Sequence, residues 1–544
     1  MCVGSNPTSI VPEATMPLLA SITPMRGPCD EAVLHSAAVA LPCREDAAPW
    51  ILAATILGSS MAFIDSTIVT VALPAIQASF HATVVDVQWV VESYGLFLAA
   101  LMLVGGSLGD MLGRRKIFLV GVLIFAIASL ACGFASGIQH LIVARSIQGV
   151  GAALLVPGSL VLISVGFDET SRGQAIGTWS GFTTITSAIG PVLGGWLVEH
   201  ASWRWAFLIN VLLAAMVIAI SVRYIPESRG AGVGRIDWLG ALLVTIGLGG
   251  LVTGFIESVN WGWKGPVVFG SLIVGCACLS VFILVEGRVT APMVPPKLFA
   301  SRTFSGANLL TLFLYAAIGI FFFLFPLNLI QVQGYSATAA GAAVLPLILL
   351  MFTLSRWSGG LVTRYGPRLP LIIGPLIAAL GFGLFAVSST GGSYWENFFP
   401  GIVVLGFGMA VTVAPLTTVV MNSADRDRVG AASGINNAVA RVAGVLAIAV
   451  LGSVMVNAFG YELNHQLGKL FLAPDALHDI QAEKIKLAGV ELPASLDANT
   501  KAAVGEAVRQ AFVFGFRLVM LMCVALCVAS AGAAWRLIPR SSSD

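Results

Sequence analysis

From Trp50 to Ile538 the chain repeats one hydropathy pattern, an apolar run of roughly 20 residues followed by a short polar connection. A hydrocarbon core about 30 Å thick is crossed by about 20 helical residues, each rising about 1.5 Å. The pattern therefore predicts an all-α polytopic membrane protein with fourteen spans. Their cores fall at 51–73, 88–108, 117–135, 139–161, 174–197, 205–223, 238–256, 267–286, 305–327, 339–361, 370–388, 398–421, 430–457 and 511–536.

The polar connections set the orientation. With the N-terminus inside, the inner connections and C-terminal tail collect Arg114, Arg115, Lys116, Arg172, Arg223, Arg229, Arg235, Arg288, Lys297, Arg302, Arg364, Arg368, Arg426, Arg428, Arg536 and Arg540. The short outer connections hold only Arg204 and Lys264. Short loops rich in Lys and Arg stay cytoplasmic, so both termini are expected inside a cell (inner or plasma) membrane. One outer connection, 458–510, is long and of mixed charge. Its patches Ile480–Ala488 and Ala502–Ala511 suit amphipathic helices. It reads as a solvated external loop, the alternative being a docking element for a periplasmic adaptor.

An internal repeat sets the domain plan. Gly106-x-Leu108-x-Asp110-x-x-Gly113-x-Arg115 follows the second run, and Gly359-x-Leu361-x-Thr363-x-x-Gly366-x-Arg368 follows the tenth. Two parallel six-helix halves alone would put the echo after the eighth. Two further spans, 238–256 and 267–286, are therefore expected between the halves. The plan is a disordered cytoplasmic tail (1–49), an N-terminal six-helix bundle (50–224), and two additional helices with linkers (225–303). A C-terminal six-helix bundle (304–538) carries the long loop, and a short cytoplasmic tail (539–544) ends the chain. Repeated halves around a central cavity are the build of secondary transporters.

Composition narrows the class. Hydrophobic residues make up 57% and charged residues only 10% of the 544, where soluble domains carry roughly 25% charge. The net charge is +2, with Lys and Arg spread thinly over the loops, which leaves no basic stripe for nucleic acid. Cys132, Cys276, Cys278, Cys523 and Cys527 lie inside apolar runs as small packing residues, and no Cys or His shows metal-site spacing. Gly105-Gly106-Ser107-Leu108-Gly109 fits a hydrolase nucleophile pattern, but it ends a membrane helix instead of turning from strand to helix. No enzyme, metal or bound cofactor is expected.

Several segments together resemble the major facilitator superfamily, specifically its fourteen-span drug:proton antiporters of the EmrB/QacA type. Gly106–Lys116 is similar to the loop motif G-x-L-a-D-r-x-G-r-k after the second helix, with Met111 in place of the usual Arg. Asp65–Pro74 resembles the first-helix motif of that group, and Arg145-x-x-Gln148-Gly149-x-Gly151 the fourth-helix motif. Ile189-Gly190-Pro191-Val192-Leu193-Gly194-Gly195, with Gly177 upstream, resembles the fifth-helix antiporter motif. Trp203-Arg204-Trp205-x-Phe207-x-x-Asn210, Asp237-Trp238-x-Gly240 and Asn436–Gly444 also look like the group.

Buried charges are the first place to seek function, because a charge at mid-bilayer costs about 2.5–3.5 kcal/mol on insertion scales. Counted at about 1.5 Å per residue from the outer side, Asp65 lies about 12 Å deep, Glu92 about 7 Å and Arg145 about 9 Å. Asp65 is assigned as the main proton- and cation-coupling carboxylate, tuned by Arg145, with Glu92 a second acid on the substrate path. A static Asp65–Arg145 brace is the alternative. Arg441, Gln148 and Phe322 are candidate cavity residues, with packing the competing role for the Phe321–Phe325 cluster. The resemblance implies that Gly106, Asp110, Gly113, Arg114 and Arg115 form a latch between the halves, meeting the start of span thirteen near Gly430–Ser433. It also implies that the face of Gly177, Gly190, Pro191, Gly194 and Gly195 seals the cavity and favours exchange.

The expected function is export of small amphipathic organic compounds in exchange for protons, driven by the proton motive force in a lipid bilayer. The two acids suggest cationic cargo. A sugar or metabolite symporter is the rival within transport, on the strength of Pro226-Glu227-Ser228-Arg229; a non-transporting membrane sensor is the rival outside it.

Overall fold

The computed structural model describes residues 47–167, 171–229, 236–289, 292–424, 429–470, 472–490 and 496–540. Residues 1–46 and 541–544, with Arg235, Arg426 and Arg428, lie outside the described residues. Among those described, fourteen helices are long and apolar enough to span a bilayer. They are α1 (Ala48–Phe80), α2 (Val84–Leu112), α3 (Arg114–Gly133), α4 (Ile138–Gly166), α5 (Gln174–His200), α6 (Trp205–Tyr224) and α7 (Trp238–Trp261). The series continues with α8 (Pro266–Glu286), α9 (Arg302–Val332), α10 (Ala337–Ser355), α11 (Arg368–Ala386), α12 (Phe399–Asn422), α13 (Ala431–Leu467) and α14 (Ala498–Leu537).

Local chemistry accounts for several boundaries. Thr83 and Asp86 cap α2 reciprocally: the Asp86 amide donates to Thr83 Oγ1 at 3.2 Å, and the Thr83 amide donates to Asp86 Oδ2 at 2.9 Å. Asp237 caps α7 through the Gly240 amide at 2.7 Å, and Ser301 caps α9 through the Phe304 amide at 3.3 Å. Pro74, Pro157, Pro191, Pro375 and Pro415 sit inside helices, where each leaves the carbonyl four residues earlier without its helical donor.

The helices pack as two copies of one pattern. In the first half α2 packs on α4, α3 on α4 and α6, and α1 on α5 and α6. The same pairs recur eight helices later: α10 on α12, α11 on α12 and α14, and α9 on α13 and α14. The fold is therefore two six-helix bundles with two further helices. Those two are central in sequence but peripheral in space. α7 lies against α2 and α13, where Val252 and Ile256 bury with Val85, Val445 and Ala449, while α8 packs on α7 and is the least buried span. Trp89 donates its indole N–H to Glu257 of α7 at 2.9 Å.

The molecule has two ends, here termed the basic end, which carries Asp110–Lys116, and the cap end, which carries 468–497. The expected loop 458–510 is shorter than its polar composition implied. α13 runs on to Leu467 and α14 begins at Ala498, with a helix at Pro474–Ala482 and a 3-10 turn at Lys484–Gly489 between them. Both extensions carry an apolar stripe with protein to pack against. Phe459, Leu463 and Leu467 are buried on α13, and Val504, Ala507, Val508 and Ala511 on α14. The halves are tied together at this end, where Gln77 donates to the Lys486 carbonyl at 3.0 Å and accepts from Gln331 at 2.8 Å.

Candidate functional site

Asp65 and Arg145 meet inside the N-terminal bundle. Arg145 Nη1 donates to Asp65 Oδ2 at 2.5 Å, and the two side chains are 1% and 0% exposed. Five helices hold the pair. Asp65 Oδ1 accepts from Gln148 Nε2 of α4 at 2.8 Å and Asn210 Nδ2 of α6 at 3.0 Å. Both amides also reach Ser129 Oγ of α3, at 3.2 and 3.1 Å, and that hydroxyl donates to the Phe207 carbonyl. Arg145 donates from Nη1 to Gln148 Oε1 at 2.8 Å and from Nε to the Val90 carbonyl of α2 at 3.1 Å. Its guanidinium carbon stands 4.2 Å above the Tyr94 ring. The carboxylate thus accepts from three donors, one of them its counter-charge Arg145, and loss of either charge would leave the other buried without its partner.

Glu92 is not part of this network. It is 0% exposed, and neither carboxyl oxygen has a hydrogen-bond partner among the described residues. Its face of α2 meets α13: Gln88, one turn away, donates to the Ile448 carbonyl at 3.2 Å, and Gly95 lies against Val445. The expected grouping of Glu92 with Asp65 and Arg145 is thus corrected. Helical rotation turns Val90 and Tyr94 to the bundle interior and Glu92 to the seam between the halves.

Arg441 lies on the α13 side of that seam. The α13 stripe contains Gly434 against Leu103, then Arg441, then Val445 and Ile448 against α2. Arg441 is partly exposed and within electrostatic reach of Tyr94. Among the described residues no carboxylate lies within ion-pair distance of it. Of the aromatic cluster, Phe321, Phe323 and Phe325 are buried core residues; Phe321 and Phe325 stack on each other and meet Phe382, Phe385 and Phe398 edge-on or tilted, which is packing. Phe322 is half-buried and packs edge-on to Phe321.

The small residues of α5 form a closure at the cap end. A Cβ at Gly194 would stand 3.0 Å from Ile68 Cα of α1, and one at Gly195 2.5 Å from Thr338 Cα of α10. Gly190 faces Thr67, and Pro191 lies against Gly341 of α10, while Gly177 is buried nearer the basic end. Thr338 then locks the crossing, donating its amide to Glu199 Oε1 at 2.8 Å and its hydroxyl to Oε2 at 2.6 Å. Toward the basic end an apolar groove of about 620 Å³ separates α5 from α10, lined by Ile185, Ile189, Val192, Trp196, Leu345 and Phe352.

The motif between α2 and α3 docks within its own half. Asp110 pairs with Arg114 one turn on, at 2.7 Å, instead of capping a helix. Glu227, beyond α6, accepts the amides of Arg115 and Lys116 at 3.1 Å each, which places a carboxylate on the N-terminus of α3. Arg115 Nη1 donates to the Ile225 carbonyl at 2.9 Å, and the Arg114 amide to Ser228. Gly113 has φ +119°, and a Cβ there would stand 2.8 Å from Glu227 Oε1. Gly106 faces Pro157 of α4. Among the described residues the loop's contacts run to Ile225–Ser228; the expected partner at the start of α13 lies partly outside the described residues. The echo repeats this anchoring: Gly366 also has positive φ, +75°, and Arg368 donates to the Trp535 carbonyl near the end of α14 as Arg115 does at the end of α6.

Residues 55–448 match the family described as Major Facilitator Superfamily. The chain belongs to the major facilitator superfamily. As a member it is a transporter and not an enzyme. It is 33% identical over 500 residues to multidrug resistance protein Stp of Mycobacterium tuberculosis, covering 90% of this chain and 92% of that one. It is 32% identical to the tetracenomycin C resistance and export protein of Streptomyces glaucescens, covering 89% and 91%. To the puromycin resistance protein pur8 of Streptomyces alboniger it is 34% identical, covering 75% and 82%. Among solved structures, a bacterial homologue of the human lysosomal transporter Spinster, inward-facing and unoccupied, shares the fold with TM-score 0.63 at 18% identity, covering 91% of this chain and 98% of that one.

Within this superfamily member the sequence reading missed Asn210, Ser129, Tyr94 and Glu227 as parts of the machinery. Asn210 had a signal, since it closes the Trp203–Asn210 motif. The same motif turns Arg204 onto the Gly133 and Ala135 carbonyls at 3.1 and 2.9 Å, fixing the end of α3 that carries Ser129.

Proposed function

We propose that this chain exports amphipathic organic compounds across the cell membrane in exchange for protons, with the basic end and both termini in the cytoplasm. The observation that carries the coupling is the Asp65–Arg145 pair, buried and held from five helices. Positive charge at the basic end supports the orientation. The names of the relatives support the class of cargo.

The cycle follows from the pair and the α5–α10 closure. With the cap end shut, Asp65 is ionised and bound to Arg145, the state of an exporter that has released its proton inward and awaits cargo. Cargo entry favours the state in which the basic end closes and Gly195 parts from Ala337. A proton from outside then neutralises Asp65 and releases Arg145, and the changed balance of buried charge drives the return.

The test is a proteoliposome with an imposed pH gradient, a panel of amphipathic dyes and an internal pH reporter. Dye movement against its gradient, accompanied by opposite proton movement and lost in Asp65→Asn, supports the reading. Undiminished proton-coupled pumping by that variant overturns it.

A further inference from the structure

We infer that Arg441 receives an acidic group of the exported compound, so that the cargo is an amphipathic organic anion rather than a lipophilic cation; this rests on the export reading above. A guanidinium keeps its charge in every protein environment and presents a planar fork of donors suited to a carboxylate, sulfonate or phenolate. Arg441 stands about a third of the way along α13 from its basic end, on the stripe that faces α2. That stripe is buried on the cap side, at Val445, Ile448 and Ala449. Arg441 is partly exposed, and Asn437, one turn toward the cytoplasm on the same face, is exposed. The accessible part of the stripe therefore lies on its basic-end side, where Arg441 and Asn437 stand.

Among the described residues nothing acidic answers it. Asp65 is spent on Arg145, Gln148 and Asn210. Glu92 shares the seam but is wholly buried at the level of Val445–Ile448. Among the described residues Tyr94 is the polar group electrostatically coupled to Arg441, and its hydroxyl donates to the Ala62 carbonyl at 3.4 Å. The two carboxylates that would attract a cation are thus withheld, while one cation and the Asn437 amide are offered. A bidentate charge-assisted contact there supplies both orientation and selectivity.

The test compares two dyes of one three-ring skeleton, anionic fluorescein and cationic rhodamine 123, in proteoliposomes under a pH gradient. The wild type is expected to move fluorescein, Arg441→Gln to lose about tenfold or more of that rate, and Arg441→Lys to retain an intermediate rate. The melting profile of each purified variant reports its folding. Fluorescein transport within about twofold of wild type in a folded Arg441→Gln overturns the inference. Wild-type transport of rhodamine 123 without fluorescein overturns it while leaving the export reading intact; proton-coupled transport of neither overturns both. Parallel vesicles with and without phosphatidylglycerol separate the sources of the anion. Equal fluorescein rates assign the site to the solute, and suppression by the anionic lipid assigns it to a headgroup and overturns cargo recognition.

Discussion

Asp65 and Arg145 share a 2.5 Å ion pair in which neither side chain touches solvent, although they lie on α1 and α4 of a membrane bundle. Removing one member strands the other charge, which costs about 3–5 kcal/mol, whereas removing both leaves only neutral amides. Asp65→Asn is therefore expected to lower the melting temperature and abolish proton coupling together. Asp65→Asn with Arg145→Gln is expected to recover stability to within about 1–2 kcal/mol of wild type and still fail to couple. Thermal unfolding in detergent and proton-driven uptake in vesicles read the two effects apart. Coupled uptake by the double variant would reduce the pair to a brace.

Asn210 is expected to act through Asp65. Its Nδ2 donates to Asp65 Oδ1 and Ser129 Oγ, and its own Oδ1 is buried without a partner. Asn210→Leu removes a donor to the charged form of the site and leaves Arg145 in place. The pH profile of exchange should move to higher pH, with maximal rate reduced by less than in Asp65→Asn. A purely structural Asn210 would lower stability and leave the profile where it was.

Glu227 is expected to be the clamp on the first half of the motif. Glu227→Ala frees the Arg115 and Lys116 amides, at a cost of about 1–2 kcal/mol after allowance for its partial exposure. Gly113→Ala adds a side chain at φ +119° against that same carboxylate, for about 1–3 kcal/mol. Combined, the two should cost less than their sum, because Glu227→Ala empties the space the new methyl needs. Denaturation of the purified variants measures the coupling.

Gly195→Val is expected to hold the cap end apart. The α10 backbone at Ala337 and Thr338 occupies the space of the added side chain and has no flexible tip to yield. Spin labels at His200 and Ser336 should report a longer mean distance than in wild type, and export should fall by about an order of magnitude as the inward state is depopulated. An unchanged distance would remove this crossing from the gate.

The spans were legible because each run is long, apolar and punctuated by charge, and the eight-helix offset because Gly366 and Arg368 repeat Gly113 and Arg115. Depth put Asp65 and Arg145 together but put Glu92 with them, because counting along a helix does not say which face a residue takes. Asn210 and Ser129 could not be placed with the pair, since an uncharged polar residue in an apolar run has no pattern to betray its partner. Glu227 was read only as part of a sugar-porter-like string, because its work is to bind backbone amides that no side-chain pattern announces. Of the two extensions, that of α14 was legible in part as the amphipathic patch Ala502–Ala511, whereas that of α13 was hidden for a related reason: its outward face is polar, and the surface that receives its apolar stripe exists only in the fold.

The placement of α7 gives the protein a closed flank and an open one. Twelve helices in two halves leave two seams along which the interior could meet the acyl chains. Here the seam between α2 and α13 is shuttered by Val252 and Ile256, while the one between α5 and α10 keeps its groove. Among the described residues, a hydrophobic solute in the bilayer accordingly meets a groove on the α5–α10 flank, and two neighbouring copies that touched through the groove would obstruct each other where two that touched through α8 would not.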